Sequence, residues 1–206
     1  MNKKRYFTTH VVVIFTLLLS SCANKETRFI VAPTIILENN FVASSVTLPL
    51  YESLPTVNNH KIISLTVSDL RIKKHLVDVL HADKATRLIP TERLLASVIK
   101  ESLTIPLAKQ GVVVAQKSSN ELTLSINKAN ISVQQSLTTY SADTVIELQV
   151  TVNNQIKTLT KTFQTNAISN GLLSVDIAVL ERDFNQELST LLKQIIIDKD
   201  IHSFLH

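Results

Sequence analysis

Apolar and polar residues change their spacing along this chain, and each spacing predicts an element. From Lys61 to Ser68, Ile63, Leu65 and Val67 share one face at a period of two, which predicts a strand. Leu122, Leu124 and Ile126 alternate with polar residues in the same way. So do Ile146, Leu148, Val150 and Val152, with Val145, Glu147, Gln149 and Thr151 opposite. Clean alternation fits antiparallel strands with one wet face. Asn153-Asn154 reads as a two-residue hairpin turn, because Asn tolerates the left-handed region. The return strand is expected from Gln155 to about Thr165. Earlier, Arg28 to Glu38 reads as a strand interrupted by Pro33. Asn39 to His60 reads as a loop with a short strand at Val46 to Leu50. Ile72 to His81 fits strand or helix, and the short flanking elements favour strand. Thr86 to Ile89 extends a strand before Pro90, and Val112 to Val114 starts another.

Two stretches carry helical spacing. Leu94, Leu95, Val98, Ile99 and Leu103 mark the first. Thr91 is its expected cap, with Glu92 in the first turn where the helix dipole favours an acid. Pro106 lies inside the pattern and is expected to kink or end the helix, and Gly111 is the expected stop. The second stretch places Ile177, Leu180, Phe184, Leu188, Leu191 and Ile195 on one stripe, with Ser174 as cap and an end near Lys199. Ile201, Phe204 and Leu205 then fold back onto the core. The expected fold is α+β: a mainly antiparallel sheet with two long amphipathic helices packed on one face.

The first residues follow a different logic. Lys3, Lys4 and Arg5 precede the apolar run Val11 to Leu19, too short to span a bilayer and built like a secretory signal. Leu19-Ser20-Ser21-Cys22 resembles a bacterial lipobox, which makes Cys22 the lipidation site and residues 1–21 a signal peptide. One acyl chain holds a protein to a bilayer only marginally, and several hold it firmly. Residues 22–27 are then a short tether, and 28–206 a single periplasmic domain. By the same resemblance, Ala23 rather than Asp after the cysteine implies the outer membrane.

Composition removes several function classes. The chain of 206 residues has only 2 Gly and 1 Cys, which excludes a Gly-rich phosphate cradle, an internal disulfide framework and a multi-cysteine zinc site. The formal charge of +4 falls on removal of residues 1–21. That segment holds three of the 21 Lys+Arg and none of the 17 Asp+Glu, so +1 remains. No basic patch is interleaved with aromatics and there is no Trp, so no nucleic-acid partner is expected.

Candidate chemistry is sparse. His75, Asp78, His81 and Asp83 cluster in sequence as a metal set would. Their spacing matches no ligand motif and reads as a solvated strand rim. Asp69 and Arg71 share a strand face and read as a surface ion pair worth about 0–1 kcal/mol. No nucleophile motif with its partners is present. No catalytic residue, metal site or cofactor is expected, and the protein is expected not to be an enzyme.

Two short passages carry a family resemblance: Val31-Ala32-Pro33-Thr34-Ile35 after the lipobox, and Asp198-Lys199-Asp200-Ile201-His202-Ser203-Phe204 at the end. With Ser68-Asp69-Leu70-Arg71 between them in compatible order, the mature chain resembles the YajG family of Gram-negative lipoproteins. The resemblance implies a periplasm-facing protein of the outer membrane with no assigned activity, and no site residue beyond Cys22. The expected role is a non-catalytic binding or structural module contacting another envelope protein or peptidoglycan. The alternative is an accessory lipoprotein that handles lipid, or another apolar ligand, in a cleft between sheet and helices.

Overall fold

The computed structural model describes residues 36–37 (backbone only), 61–82 and 84–204. Residues 1–21, Cys22, the tether, the loop from Asn39 to His60, Asp83 and Leu205 lie outside them. The chain divides into two units, Met1–Ala32 and Pro33–His206, and all described residues belong to the second.

Among the described residues eight strands and three helices follow in the order β1 (Ile36–Leu37), β2 (Lys61–Asp69), β3 (Val77–His81), β4 (Arg87–Ile89), α1 (Leu95–Lys109), β5 (Val112–Ala115), β6 (Glu121–Gln135), β7 (Thr139–Asn153), β8 (Thr158–Leu172), α2 (Ile177–Ile196) and α3 (Lys199–Phe204). These eight strands join one mixed sheet, curled into a half-barrel. This corrects the expected fold class. The sheet is not mainly antiparallel: β2 runs parallel to β5 and β6, β3 to β6 and β1 to β4, and only β3–β4, β6–β7 and β7–β8 are antiparallel. The protein is mostly sheet, and its helices are short beside it, of 15, 20 and 6 residues. Alternation reports one wet face and says nothing about strand direction. The chain between β2 and β6 includes α1, and such a crossover is what lets two strands run parallel.

The long strand β6 organises the sheet. One edge pairs with β7 along its whole length. The other is shared end to end: Ser64–Asp69 of β2 lie beside Glu121–Ile126, and Val77–His81 of β3 beside Ile131–Gln135. The register of β6 against β7 shifts between Ile126 and Lys128, which leaves Asn127 as an extra residue. A one-residue bulge exchanges the two faces of a strand. Accordingly Leu122, Leu124 and Ile126 face the core before it, and Ala129, Ile131 and Val133 after it. Glu147 on β7 holds the bulge, accepting from Asn127 Nδ2 at 3.2 Å and Lys128 Nζ at 2.9 Å. The Lys128 and Asn127 hydrogen bonds keep its carboxyl below the usual range, against a smaller opposing effect of burial.

The helical stripe holds: Leu180, Phe184, Leu188, Leu191 and Ile195 of α2 are buried, Phe184 completely. Each such side chain contributes roughly 1.5–3 kcal/mol on burial. The boundaries differ from expectation. Asp176, not Ser174, caps α2, its Oδ1 accepting from Ala178 N at 2.9 Å. α1 starts at Leu95 behind Leu94, with no side-chain cap, so Thr91 does not cap it. α1 also continues through Pro106 to Lys109. The proline lies in the last turn and forgoes the bond to Ser102 O without ending the helix, and Gly111 follows with φ 73°. The β7–β8 turn spans Asn154 to Lys157. Its left-handed residue is Gln155 (φ 70°), and the two asparagines bind the turn's amides through their side chains.

Candidate functional site

The stretch Leu70 to Leu76 is where β2 stops and β3 begins. The ladder to β6 is closed on either side of the break by Leu70 N to Ile126 O (3.0 Å) and Ile131 N to Leu76 O (2.8 Å). Between them Ala129 O faces the gap, and Arg71 fills it. Arg71 Nη1 donates to Ala129 O at 3.1 Å, while Nε and Nη2 grip Asp69 Oδ1 and Oδ2 at 3.0 and 2.9 Å. Arg71 is only 5% exposed. The pair is therefore not the surface salt bridge that its spacing suggested. It is a fork built on a buried arginine and a partly buried carboxylate, and it replaces missing ladder bonds. Burial of Asp69 pushes its pKa up, but the side-chain and backbone hydrogen bonds from residue 71 and the charges of Arg71 and Lys74 outweigh this and hold it below the usual range.

Asp78 is likewise buried, at 5% exposure, and not on a solvated rim. Lys73 Nζ and Asn130 Nδ2 donate to its Oδ2 at 3.1 and 3.3 Å, and His75 Nε2 stands 2.5 Å from Oδ1. The structure thus brings His75 and Asp78 together. It does not add His81, which sits three residues on at the end of β3, on the opposite strand face from Asp78. Among the described residues no three His, Cys, Asp or Glu side chains are grouped to hold a metal.

The closing motif also proves to be architecture. Asp198 caps α3 through Oδ1, accepting from Asp200 N and Ile201 N at 3.1 and 3.0 Å. Lys161 of β8 reaches Asp198 Oδ2 at 2.6 Å and Asp200 Oδ2 at 2.8 Å. Burial raises the Asp198 pKa, but the hydrogen bond and charge of Lys161 and the two backbone bonds outweigh this and hold it below the usual range. Ile201 is buried, His202 Nε2 contacts Ile196 O at the end of α2, and Asn154 Nδ2 donates to Phe204 O at 3.2 Å. This sequence latches the chain end onto β8 and the β7–β8 turn.

The surface suited to binding lies at the other end of those strands, where β3, β6 and β8 end and β7 begins. An open cleft of about 950 Å³ is lined there by Leu80, His81, Gln134, Tyr140, Asn170 and Leu172, among others, and no Asp, Glu, Lys or Arg among the described residues lines it. Tyr140 lies opposite Gly171, and a Cβ at 171 would fall within its ring, so the absent side chain seats the tyrosine. Gln135 ties this end together. Its Nε2 donates to Leu173 O at 2.9 Å and to Ser136 O at 2.8 Å, and its Oε1 accepts from Val175 N at 2.9 Å.

Three exposed leucines cluster here, Leu172 in the lining of the cleft and Leu137 and Leu173 beside it. Leu137 at the tip of the β6–β7 turn is 96% exposed, Leu172 is 79% and Leu173 is 70%. They are neighbours: Thr139 pairs with Leu172, and Leu173 N donates to Thr138 O at 2.7 Å. Leu173 holds φ 64°, an uncommon conformation for a bulky residue. Sequence reading missed this site because it ended the return strand at Thr165. The available signal was apolar residues in turn-like settings, Ser136-Leu137-Thr138 and Gly171-Leu172-Leu173-Ser174.

A crystal structure of a Xanthomonas campestris protein of the family DUF330 shares the fold: TM-score 0.52 and 16% identity over 79% of this chain and 92% of that one. Rare lipoprotein B from Shewanella oneidensis aligns with TM-score 0.40 and 11% identity, covering 69% of this chain and 98% of its own. A minor lipoprotein from Acinetobacter baumannii aligns with TM-score 0.37 and 12% identity, covering 66% and 90%. No curated protein matches the chain. A model of an uncharacterised lipoprotein family, Lipoprotein_16, matches residues 50–206. The chain belongs to that family of lipoproteins, the YajG family.

Proposed function

We propose that this protein is a non-catalytic binding module of the cell envelope, anchored by acyl chains on Cys22 to the outer membrane and facing the periplasm. Membership of a lipoprotein family supports a membrane-anchored envelope location. The lipobox Leu19-Ser20-Ser21-Cys22 supplies the anchor, and Ala23 favours the outer membrane. Among the described residues no helix is long and apolar enough to cross a membrane.

The observation that carries the binding role is the cluster of exposed leucines, Leu137, Leu172 and Leu173, at a cleft that Leu172 and His81 line and that no described Asp, Glu, Lys or Arg lines. Clustered exposed apolar side chains on a soluble surface mark contact sites. A partner would be another envelope protein or peptidoglycan. A photoreactive residue at 137 or 172, in cells making the lipidated protein or its Cys22→Ala form, tests this. Specific crosslinks from both positions, absent from a probe at Ile156 and lost in Cys22→Ala, are expected. Crosslinks no more specific than those from Ile156 would remove the module reading.

The lipid-handling alternative moves to the same place. Phe184, Leu188 and Ile195 fill the layer between sheet and helices with under 3% exposure. On this alternative an apolar ligand would bind at the strand end, since these side chains occupy the space between the layers.

A further inference from the structure

We propose that β8 is the contact edge of a homodimer and pairs antiparallel with β8 of a second copy of this chain, across a two-fold axis at Thr165. This adds a second contact surface to the module and does not depend on the cleft. β8 pairs with β7 and, among the described residues, with no other strand. Two bonds at its ends fix which way its backbone faces: Leu173 N donates to Thr138 O, and Asn154 N to Lys157 O. Backbone groups alternate in direction along a strand, so the odd-numbered residues of β8 serve β7. The even-numbered ones, from Thr158 to Leu172, turn their N–H and C=O groups outward, and these are also the residues with exposed side chains. Proteins blunt such an edge by shortness, proline, a bulge or an edge charge. β5 and β1 are short, at 4 and 2 residues. β8 has 15 residues, no proline and one unbroken register against β7. Its single charged residue, Lys161, lies on the other row and is bound by Asp198 and Asp200.

Self-complementarity selects a second copy as the occupant. In an antiparallel pair the residues that exchange both backbone bonds stand opposite each other, so an outward residue must meet an outward residue. A register centred on Thr165 meets this along the whole strand. Thr158 stands opposite Leu172 of the second copy, Thr160 opposite Asn170, Thr162 opposite Ile168 and Gln164 opposite Asn166. Every outward amide and carbonyl of β8 then has a partner, in a closed two-fold interface. The exposed row is neutral throughout, and Ile168 and Leu172, 68% and 79% exposed, gain threonine neighbours across the pair. The two Lys161 residues fall eight positions apart, about 27 Å along the strands, so like charges do not meet. On the inward row Leu159 and Phe163 are only partly buried where the sheet ends, and a second sheet continues the layer over them.

The test is made in cells producing two differently tagged copies, one with Thr162→Cys and one with Ile168→Cys, with copper phenanthroline as oxidant. In the proposed register these positions face each other at about 5.5 Å between Cα atoms, within disulfide reach. Two copies of Thr162→Cys place their thiols about 20 Å apart. A disulfide heterodimer is expected at a yield at least tenfold above the dimer from either variant alone. The unsubstituted chain, whose single cysteine is Cys22, should give none. Gln164→Pro in both copies removes an outward N–H and leaves the β7 ladder intact, so it should lower the yield at least tenfold, while Gln164→Ala should not. Circular dichroism checks that the proline variant keeps its fold. Gln164→Lys with Asn166→Lys, which sets like charges opposite each other, should lower the yield in the same way without a backbone change. No heterodimer, a yield no higher than from Thr162→Cys alone, or capture of a different protein at both positions overturns the proposal. Crosslinks from 137 report separately on the leucine surface, so either reading can fall alone.

Discussion

Replacing Arg71 by Met should cost about 3 kcal/mol. Met fills the volume of the stem but supplies no donor. Ala129 O, which accepts from Nη1 at 3.1 Å, is then left buried and unpaired, a loss of roughly 1–3 kcal/mol. Asp69 loses both arms of the fork as well. Breaking a fully buried ion pair costs about 3–5 kcal/mol. Asp69 retains 22% side-chain exposure, the residue-71 amide at 3.0 Å and Lys74 at 3.4 Å, so its own share is small. A loss of about 3 kcal/mol lowers the melting temperature of a domain this size by roughly 6–12 °C. Urea denaturation followed by circular dichroism at pH 7 measures it. Asp69→Leu with Arg71→Met should be less destabilising than the sum of the two single changes by about 1 kcal/mol or more, since each alone strands the other's charge or donors. The pH dependence carries the same signature. The folded pKa of Asp69 lies below its ordinary 3.8, so its contribution is complete above that value and fades as pH falls through the folded pKa. Stability should be flat from neutral pH to about 5 and fall below about 4, less steeply in Arg71→Met. A single-variant cost under about 0.5 kcal/mol, or full additivity, would refute the role of Arg71 as a substitute for ladder bonds.

Other expectations follow from the packing. Phe184→Ala, at a fully buried position, should cost about 3–5 kcal/mol in the same denaturation assay. Gly171→Ala should displace the Tyr140 ring at about 1–3 kcal/mol, visible in near-UV circular dichroism from the three tyrosines of a chain without Trp. Asp198→Ala should remove the cap of α3 and cost about 1–2 kcal/mol, with faster hydrogen exchange at Asp200 and Ile201.

How much of this was legible depended on the range of the interactions involved. The α2 stripe and the alternation in β6 and β7 are local and periodic, and they placed core residues correctly. Strand direction is not local. Nothing in Lys61 to Ser68 says that it lies parallel to a strand some sixty residues away, and the expected antiparallel sheet failed on that. The parity exchange at Asn127 hid the second half of β6, because Ala129, Ile131 and Val133 fall out of step with Leu122 to Ile126. Asp69, Arg71 and Asp78 read as surface groups because charge normally implies exposure. The burial of Arg71 and Asp78 and the partial burial of Asp69 depend on Ala129, Lys73 and Asn130, partners that the fold supplies. The strand-end site was missed for a related reason: Leu137 and Leu173 lie in turns, where periodicity carries no information.

Hydrogen–deuterium exchange of the lipidated chain in native membranes, compared with Cys22→Ala free in solution, tests the central claim most directly. Occupancy of the strand-end site predicts added protection at 135–141 and 170–174 in the anchored protein, with the β7–β8 turn at 154–157 unchanged. Equal exchange at both ends of the sheet, in both forms, would contradict it.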